Sequence, residues 1–293
     1  RYDLLMRVLV LGGTRYFGKA SVALLLKSIT LTSVKTLSRS KQNGDDKSHI
    51  ICDRKNISEL HSVFRNFRPN VIIDMINFSR DDSRELVQAY SNGLLTSLKH
   101  YIMVSSFFVY NHFDLKEFQE KKLDLSLVKA GKVDNYTYQK IEAESTLYES
   151  QLMDLTSILR LPFVFSSDDY SGRFQSICDI SKQGNLKAIE NSYRYSMISK
   201  SLAARCIEYL CTSSPQGIVD FANSGCVTTE EMVQIIRDSL GLDSKVNDSE
   251  LKQLPYIVDR DICIQSFKIK INQSLESAIR EEANEYFSSI SSG

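Results

Sequence analysis

The sequence predicts an α/β protein built on a doubly wound parallel sheet. In the first 160 residues, short apolar runs alternate with segments whose apolar residues recur at helical spacing. Several of the runs are apolar at consecutive positions, which is typical of parallel strands covered by helices on both faces. A glycine-rich turn follows the first run and leads directly into a helical segment. Strand–helix alternation of this kind favours one sheet with right-handed crossovers.

The elements of this first part follow one another along the chain. The predicted strands are Arg7–Leu11, Val34–Ser38, His49–Cys52, Val71–Asp74, Tyr101–Ser105 and Thr156–Arg160. The predicted helices are Tyr16–Lys27, Ser58–Phe67, Asp81–Leu95 and Asn135–Ser150. Together they predict a Rossmann-like domain over residues 1–160.

Residues 161–293 predict a smaller, partly helical region, from which some elements return to the first sheet. Helices are predicted at Arg173–Gln183, Lys200–Cys211, Thr229–Leu240 and Gln273–Ser288. The third of these begins at a threonine followed by acidic residues and is followed by Gly241, which suits the two ends of a helix. Only four prolines occur in the chain, so composition marks no linker between the two parts.

Composition narrows the classes of function. The 36 basic and 36 acidic side chains balance, which argues against general binding to nucleic acid or to a membrane surface. No apolar run approaches the roughly 20 residues that span a bilayer, and Arg1–Leu5 show no signal-peptide features. The six cysteines include no CxxC pair and the four histidines are scattered, so we expect buried thiols and no metal site. These features predict a cytoplasmic protein without a membrane partner.

The glycine-rich turn predicts a dinucleotide site. Val8–Leu11 leads into Gly12-Gly13-Thr14-Arg15-Tyr16-Phe17-Gly18, and a helix follows. Glycine allows a strand to turn sharply and the backbone to approach a pyrophosphate, while the helix N-terminus offers free N–H groups and a positive dipole. The predicted cofactor contacts in this turn are Gly12, Thr14, Arg15, Tyr16, Phe17 and Gly18.

The end of the second strand indicates which dinucleotide binds. An acidic residue there accepts hydrogen bonds from the ribose hydroxyls of NAD, whereas a basic residue accommodates the extra phosphate of NADP. This chain has Ser38, Arg39 and Ser40 at that place, and no acid before Asp45. We predict that NADP is favoured over NAD, with Ser38 and Arg39 at the ribose. A solvated surface arginine is the alternative interpretation.

A tyrosine and a lysine four residues apart predict a proton-transfer site. Tyr136 and Lys140 share one face of a predicted helix. A free phenol titrates near 10, and a neighbouring ammonium favours its ionised form, so such a tyrosine can serve as acid or base. Upstream, the strand that ends at Ser105 empties into a loop that begins with Ser106, at the edge where open α/β sheets bind ligands. The Ser106 hydroxyl could orient a substrate oxygen towards Tyr136.

These motifs give the chain a resemblance to a known family. It resembles the extended short-chain dehydrogenases/reductases, in the NAD-dependent epimerase/dehydratase branch, and its Gly-Gly-Thr-Arg-aromatic-x-Gly turn is that of the atypical members. The resemblance covers almost the whole chain. It rests on the Gly12–Gly18 turn, the strand end at Ser105 and Ser106, the Tyr136/Lys140 pair, the segment Arg160-Leu161-Pro162 and the segment Asp169-Tyr170-Ser171-Gly172-Arg173.

The resemblance implies roles for individual residues. Tyr136 would be the catalytic acid/base, Lys140 would hold the nicotinamide ribose and favour ionisation of the tyrosine, and Ser106 would bind the reacting oxygen. Residues 161–293 would mainly bind substrate, and a homodimer would form through helices that include the one carrying Tyr136. The further cofactor contacts implied are Asp53 and Arg54 near the adenine, Ile76 and Ser105 beside the nicotinamide, and Pro162. The implied substrate contacts are Phe107, Asp168 and Arg173, for which a salt-bridged loop at Asp168 and Arg173 is the alternative.

The residues after Ser106 narrow the implied reaction. Dehydratases of the family place an Asp-Glu pair there, whereas this chain has Phe107 and Phe108, which cannot transfer protons. The sequence therefore predicts an NAD(P)-dependent epimerase or ketoreductase acting on a nucleotide sugar or a related sugar. The alternative is a cofactor-binding or RNA-binding protein on the same fold without catalysis, and the balanced charge disfavours RNA.

Overall fold

The structure, a computed structural model, describes residues 6–28, 31–41, 48–112, 134–183, 193–242 and 273–291. It divides the chain into two compact units. The first contains residues 1–161 and 204–219, and the second contains residues 162–203 and 220–293. The first unit therefore includes one segment from the C-terminal half of the chain.

The first unit is built on a sheet that, among the described residues, has seven strands in the order β3-β2-β1-β4-β5-β6-β9. The pairs β1–β2, β1–β4, β2–β3, β4–β5 and β5–β6 are all parallel. The order reverses direction next to β1, which is the switch point where sheets of this kind bind ligands. The strands are β1 Met6–Leu11, β2 Leu31–Ser38, β3 His49–Ile51, β4 Val71–Asp74, β5 His100–Ser106, β6 Thr156–Leu161 and β9 Gly217–Asp220. The predicted α/β fold with a doubly wound parallel sheet is confirmed.

The burial of these strands explains why the sequence predicts them. Every residue of β4, β5 and β6 is buried, so consecutive positions carry side chains that are either apolar or paired within the protein. Helices α1 Tyr16–Leu25, α2 Ile57–Phe67, α3 Arg80–Ser91 and α4 Asn135–Tyr148 accompany the strands. The core of this unit includes Leu9, Leu37, Phe64, Leu86, Tyr101 and Leu147, all fully buried.

The second unit is smaller and partly helical, as predicted. Its strands β7 Phe163–Phe165 and β8 Met197–Ser199 form a parallel pair. Its helices are α5 Arg173–Gln183, α7 Thr229–Ser239 and α8 Leu275–Ser291, and α6 Lys200–Ser213 runs from the second unit into the first. A capping box confirms the predicted threonine start of α7, because Thr228 and Glu231 each accept a hydrogen bond from the other's backbone N–H. Apolar side chains from β7, β8, α5, α7 and α8 form a separate core.

The sequence-based bounds differ from the structure at the ends of both strands and helices. Strand β2 begins at Leu31 rather than Val34, and β5 includes Ser106, which was predicted to begin the following loop. Helix α1 ends at Leu25 rather than Lys27, and α3 ends at Ser91 rather than Leu95, shortly before Gly93 with its positive φ of 74°. The sequence did not predict β7, β8 or β9. Each of these strands has only three or four residues. Strands β3 and β4 are equally short, but they lie within the regular alternation of strand and helix in the first 160 residues, which the rest of the sequence does not show.

The cysteines depart from the sequence-based expectation at one position. Cys52, Cys178, Cys206 and Cys211 are buried free thiols, as predicted. Cys226 is disulfide-bonded, which contradicts the expectation for it, and Cys263 lies outside the described residues. In the described ranges no helix is both long and apolar enough to cross a membrane.

Candidate functional site

The glycine-rich turn lies between β1 and α1 and is tied to the end of β2. The Gly12 N–H donates to the Leu37 carbonyl oxygen at 2.8 Å. Gly12 and Gly13 have φ values of 88° and 78°, a region that favours glycine. A Cβ atom on Gly18 would lie 2.9 Å from Gly13 Cα, so glycine at position 18 lets α1 pack closely against the turn. Glycine at these positions therefore allows the chain to turn sharply and α1 to pack closely against the turn.

The N-terminus of α1 lacks the cap found on its neighbours. Side chains of Asn56, Ser79 and Asp134 cap α2, α3 and α4, whereas Arg15 at the cap position of α1 makes no such hydrogen bond and is exposed. Tyr16, the first residue of α1, has a positive φ of 50°, a strained value that functional turns often retain. The first N–H groups of α1 therefore lack a side-chain cap, and together with the helix dipole they suit a phosphate. Thr14 and Phe17 are half-buried within the same turn.

The end of β2 carries the residues predicted to read the ribose. Ser38 is half-buried and its hydroxyl donates to the Ser40 carbonyl oxygen at 3.2 Å. Arg39 is exposed, and no described carboxylate forms an ion pair with it. Because Leu37 is bonded to Gly12, these residues lie at the same edge of the sheet as the glycine-rich turn.

Arg54 is fully engaged with buried carboxylates. Its Nη1 donates to both oxygens of Asp74 at 2.8 and 2.9 Å, and its Nε lies 3.0 Å from Asp82 Oδ1. Burial lowers the pKa of Arg54, but Asp74 and Asp82 outweigh it and the pKa is raised. The guanidinium therefore fixes the end of β4, and a cofactor contact through this side chain stays a prediction. Asp53 is half-buried beside it and accepts a hydrogen bond from the Lys55 N–H at 2.9 Å.

Asp74 joins this ion pair to the loop after β4. The carboxylate is fully buried and also accepts hydrogen bonds from the Tyr101 hydroxyl and the Ile76 N–H, both at 3.1 Å. Asn77 in turn donates through Nδ2 to the Tyr101 hydroxyl at 3.0 Å. The backbone from Ile76 to Asn77 is thus held by buried polar side chains. Ile76, a predicted nicotinamide contact, also approaches the turn, since a Cβ on Gly12 would lie 2.9 Å from its Cγ2.

Lys140 reaches this loop from α4. Its side chain is buried, and its Nζ donates to the carbonyl oxygens of Asn77 at 2.6 Å and Val104 at 2.9 Å. Two aromatic rings flank the ammonium, with centroids 4.7 Å away for Phe78 and 5.9 Å away for Tyr136. Tyr136 is 43% exposed, so the phenol lies at the solvent side of a buried cation.

The ammonium of Lys140 is close to losing its proton at mildly basic pH. Burial lowers the pKa of Lys140 to about 8, while Asp74, Glu144 and Asp82 oppose the shift. The cation is therefore held partly by its two carbonyl acceptors and partly by carboxylates that it does not touch.

The two serines at the end of β5 have different partners. Ser106 is buried, and its Oγ accepts a hydrogen bond from the Phe108 N–H at 3.3 Å. The Ser105 hydroxyl donates to Glu144 on α4, so this predicted nicotinamide contact is engaged with the protein. Phe107, a predicted substrate contact, is buried with its ring centroid 5.7 Å from that of Tyr110.

Glu144 and Arg160 form a second buried ion pair, from α4 to β6. Both side chains are fully buried, and Arg160 Nε lies 3.2 Å from each carboxylate oxygen. Burial lowers the pKa of Arg160, but Glu144 outweighs it and the pKa is raised. The guanidinium also lies 4.8 Å from the centroid of the Tyr110 ring.

Among the described residues of the first unit, three buried cations balance three buried carboxylates. The cations are Arg54, Lys140 and Arg160, and the carboxylates are Asp74, Asp82 and Glu144. Sequence analysis did not single out Asp74, Asp82 or Glu144. A signal was present for two of them, because Asp74 ends a wholly apolar run and Glu144 follows Lys140 by one helical turn, on the same face.

The remaining predicted residues belong to the second unit. Pro162 is buried, and the exposed Asp168 forms an ion pair with Lys200 and accepts a hydrogen bond from Ser166 at 2.7 Å. Arg173 donates through Nε to the Ser171 hydroxyl at 2.8 Å, and its guanidinium lies 4.8 Å from the Phe163 ring centroid. Arg173 also forms an ion pair with Asp169, with Nε 3.8 Å from Oδ2, and the substrate contacts through Asp168 and Arg173 stay predictions. Asp168 and Arg173 have different ion-pair partners, Lys200 and Asp169, and do not pair with each other.

Comparison with known proteins identifies the fold. No protein-family model matches the sequence, and no curated protein does. Among solved structures, a dTDP-glucose 4,6-dehydratase from Bacillus anthracis in complex with NAD matches with a TM-score of 0.70 at 15% identity, over 97% of each chain. The Bordetella bronchiseptica enzyme WbmG in complex with NAD matches with a TM-score of 0.69 at 14% identity, over 98% of this chain and 96% of that one.

A third similar structure is the UDP-glucose 4-epimerase from Thermotoga maritima with UDP-glucose. It matches with a TM-score of 0.68 at 14% identity, over 97% of this chain and 99% of that one. At this level of identity the likeness concerns the fold, and it extends over nearly the full length of the chain. The protein therefore has the fold of the NAD-dependent epimerases and dehydratases of the extended short-chain dehydrogenase/reductase type.

Proposed function

We propose that the protein is an NAD(P)-dependent epimerase or ketoreductase that acts on a nucleotide sugar or a related sugar. The observation that carries the proposal is the buried Lys140 ammonium, which is held by two backbone carbonyls with Tyr136 beside it at the solvent side. A positive charge next to a phenol favours phenolate, so Tyr136 can exchange a proton with a substrate hydroxyl or carbonyl oxygen.

The neighbouring groups have complementary roles. A lysine ammonium has three N–H donors, and two of those on Lys140 are bonded to Asn77 and Val104. The third can donate to a ribose hydroxyl. The Ser106 oxygen accepts from the Phe108 N–H, which leaves the serine's own proton for a substrate oxygen. These two donors would position the sugar and the cofactor around Tyr136.

A dinucleotide fits the residues at the glycine-rich turn. Glycine at positions 12, 13 and 18 allows the sharp turn and its close packing against Ile76, Val10 and the start of α1, and the N-terminus of α1 lacks a side-chain cap. The turn from Gly12 to Gly18 would hold the pyrophosphate, Ser38 would contact the adenosine ribose, and Arg39 would bind the 2′-phosphate that NADP carries on that ribose. When bound, the nicotinamide would supply the hydride acceptor and donor for the reaction.

The two residues that follow Ser106 favour epimerisation or reduction over elimination. Phe107 and Phe108 follow Ser106, and neither ring can donate or accept a proton. When the nicotinamide carries the hydride, epimerisation or reduction would need only Tyr136 to transfer the proton, whereas loss of water needs a further acid and base. The substrate class draws support from the similar structures, of which one holds UDP-glucose and another, of WbmG, holds NAD and UDP. A homodimer and a cytoplasmic location stay predictions.

Incubating the protein with a panel of nucleotide sugars tests this function. An epimerase will give an epimer without net consumption of cofactor, and a ketoreductase will oxidise reduced cofactor in proportion to a keto-sugar added. Formation of a dehydrated 4-keto-6-deoxy sugar would contradict the assignment of reaction type. Binding of a dinucleotide without turnover of any sugar would favour the alternative, a cofactor-binding protein without catalysis.

We further propose that NADP binds more tightly than NAD, on the basis of Arg39. The dTDP-glucose 4,6-dehydratase and WbmG structures hold NAD, so this preference rests on the chain's own residues. Arg39→Ala should weaken NADP binding by about 1–3 kcal/mol, the value of a charge-assisted contact with phosphate, and leave NAD binding nearly unchanged. Calorimetric titration of both oxidised cofactors measures this difference.

A matched control is Arg65→Ala, which removes an exposed arginine from the last turn of α2. It should change neither affinity, because Arg65 lies on the exposed face of a helix rather than at the strand ends. Tighter binding of NAD than of NADP to the unaltered protein would show that the cofactor assignment is wrong.

A further inference from the structure

His49, at the start of β3, is hydrogen-bonded to both sides of Arg39. Its Nδ1 lies 2.7 Å from the Thr36 hydroxyl on β2. Its Nε2 lies 3.1 Å from the Ser40 carbonyl oxygen and 3.3 Å from the Ser38 hydroxyl. One imidazole therefore contacts the strand before Arg39 and the residue directly after it.

The hydrogen-bond partners of the His49 imidazole determine which of its nitrogens carries the hydrogen. A carbonyl oxygen can only accept a hydrogen bond, so Nε2 must carry the hydrogen that is donated to Ser40. In the neutral ring, Nδ1 then accepts from the Thr36 hydroxyl. The imidazole thus uses both nitrogens to fasten the turn after β2 to β3.

The backbone around Arg39 is fixed further by two main-chain bonds. Leu37 accepts from the Gly12 N–H at 2.8 Å, and Ser38 accepts from the Cys52 N–H at 3.0 Å. These bonds hold the strand up to Ser38, and beyond it the Ser40 carbonyl oxygen accepts hydrogen bonds from His49 Nε2 at 3.1 Å and from the Ser38 hydroxyl at 3.2 Å. The exposed side chain of Arg39 projects from a backbone segment that is anchored at both ends.

We propose that His49 is a positioning residue that sets the preference between NADP and NAD by ordering Arg39. The proposal rests on the proposed cofactor function. An anchored backbone loses less conformational freedom when the guanidinium binds the 2′-phosphate, and such preorganisation increases affinity. NAD lacks that phosphate, so its binding gains nothing from the order of Arg39.

The test compares two substitutions at position 49. His49→Phe keeps a planar ring that suits a strand but removes both hydrogen-bonding nitrogens, and it should weaken NADP binding about fivefold to tenfold while NAD binding changes less than about twofold. His49→Gln keeps one donor and one acceptor and should retain the NADP affinity to within about twofold. Circular dichroism and thermal unfolding of both variants report whether the fold is retained.

A double substitution shows whether His49 acts through Arg39. In an Arg39→Ala background, His49→Phe should cause no further loss of NADP affinity, because the residue being ordered is gone. An equal loss of NADP and NAD affinity in His49→Phe, an unchanged ratio of the two, or a full further loss in the Arg39→Ala background would each overturn the proposal. Failure of the unaltered protein to bind either dinucleotide would instead remove the proposed function along with it, so the two failures are distinguishable.

Discussion

Tyr136→Phe is expected to lower kcat by about 10²–10⁴-fold while the affinity for the dinucleotide changes by less than about twofold. The substitution removes one oxygen from a ring that is 43% exposed and leaves the buried Lys140 and its two carbonyl bonds in place. Proton exchange at the substrate oxygen would then lack its donor, whereas the groups that hold the cofactor remain. Turnover of the preferred nucleotide sugar and cofactor titration measure the two quantities separately.

The same helix offers a matched control for this substitution. Tyr138 is 41% exposed and its hydroxyl donates to Glu142, away from Lys140. Tyr138→Phe makes the same chemical change two residues further along and should leave kcat within about twofold of the unaltered protein. Full activity in Tyr136→Phe, or an equal loss in both variants, would rule out Tyr136 as the acid/base.

Arg160→Ala is expected to destabilise the protein by about 3–5 kcal/mol, because it leaves the Glu144 carboxylate buried without its cation. Glu144 is fully buried, and its remaining described side-chain partner is the Ser105 hydroxyl. A buried charge that loses its partner bears the cost of desolvation without compensation. The free energy of unfolding in urea at neutral pH measures the effect.

Two further variants separate the loss of the ion pair from the loss of side-chain volume. Arg160→Met combined with Glu144→Leu removes both charges and retains apolar bulk, so it should recover most of the stability that Arg160→Ala loses. Arg84→Ala breaks the exposed pair with Asp81 on α3 and should cost no more than about 0.5 kcal/mol. If the double variant is no more stable than Arg160→Ala, the cost lies in packing rather than in the unpaired charge.

The sheet of the first unit could be predicted because its strands are covered on both faces. Val71–Asp74 is buried at every position, so the run reads as continuously apolar up to the aspartate and its bounds came out unchanged. The three strands that the sequence did not predict lie beyond residue 161, where the sequence no longer shows the regular alternation of strand and helix, and β9 follows β6 in the sheet only after a long stretch of intervening chain. The pairing of strands that are distant in the sequence depends on the packing of the whole unit, and a local sequence pattern carries no information about that packing.

In the candidate site, too, features set by local geometry could be predicted from the sequence, whereas tertiary contacts could not. Tyr136, Lys140 and the glycine-rich turn were predictable because their spacing reflects local geometry, a helix face or a strand-to-helix turn. The partners of Lys140 are backbone carbonyls of Asn77 and Val104, and a carbonyl has no signature in the sequence. Arg54 was predicted to contact the cofactor near the adenine, and only the tertiary structure shows that its guanidinium also binds Asp74 and Asp82.

The position of β9 has a consequence for how the protein is synthesised. Strand Gly217–Asp220 completes the sheet beside β6, although residues 162–203 of the second unit come before it in the chain. A nascent chain that has just passed residue 161 therefore has six strands of the sheet but leaves the outer edge of β6 unpaired. An unpaired edge exposes N–H and C=O groups that another chain could bind. Until residues 217–220 have emerged from the ribosome and paired with β6, this edge stays open to pairing with a neighbouring chain.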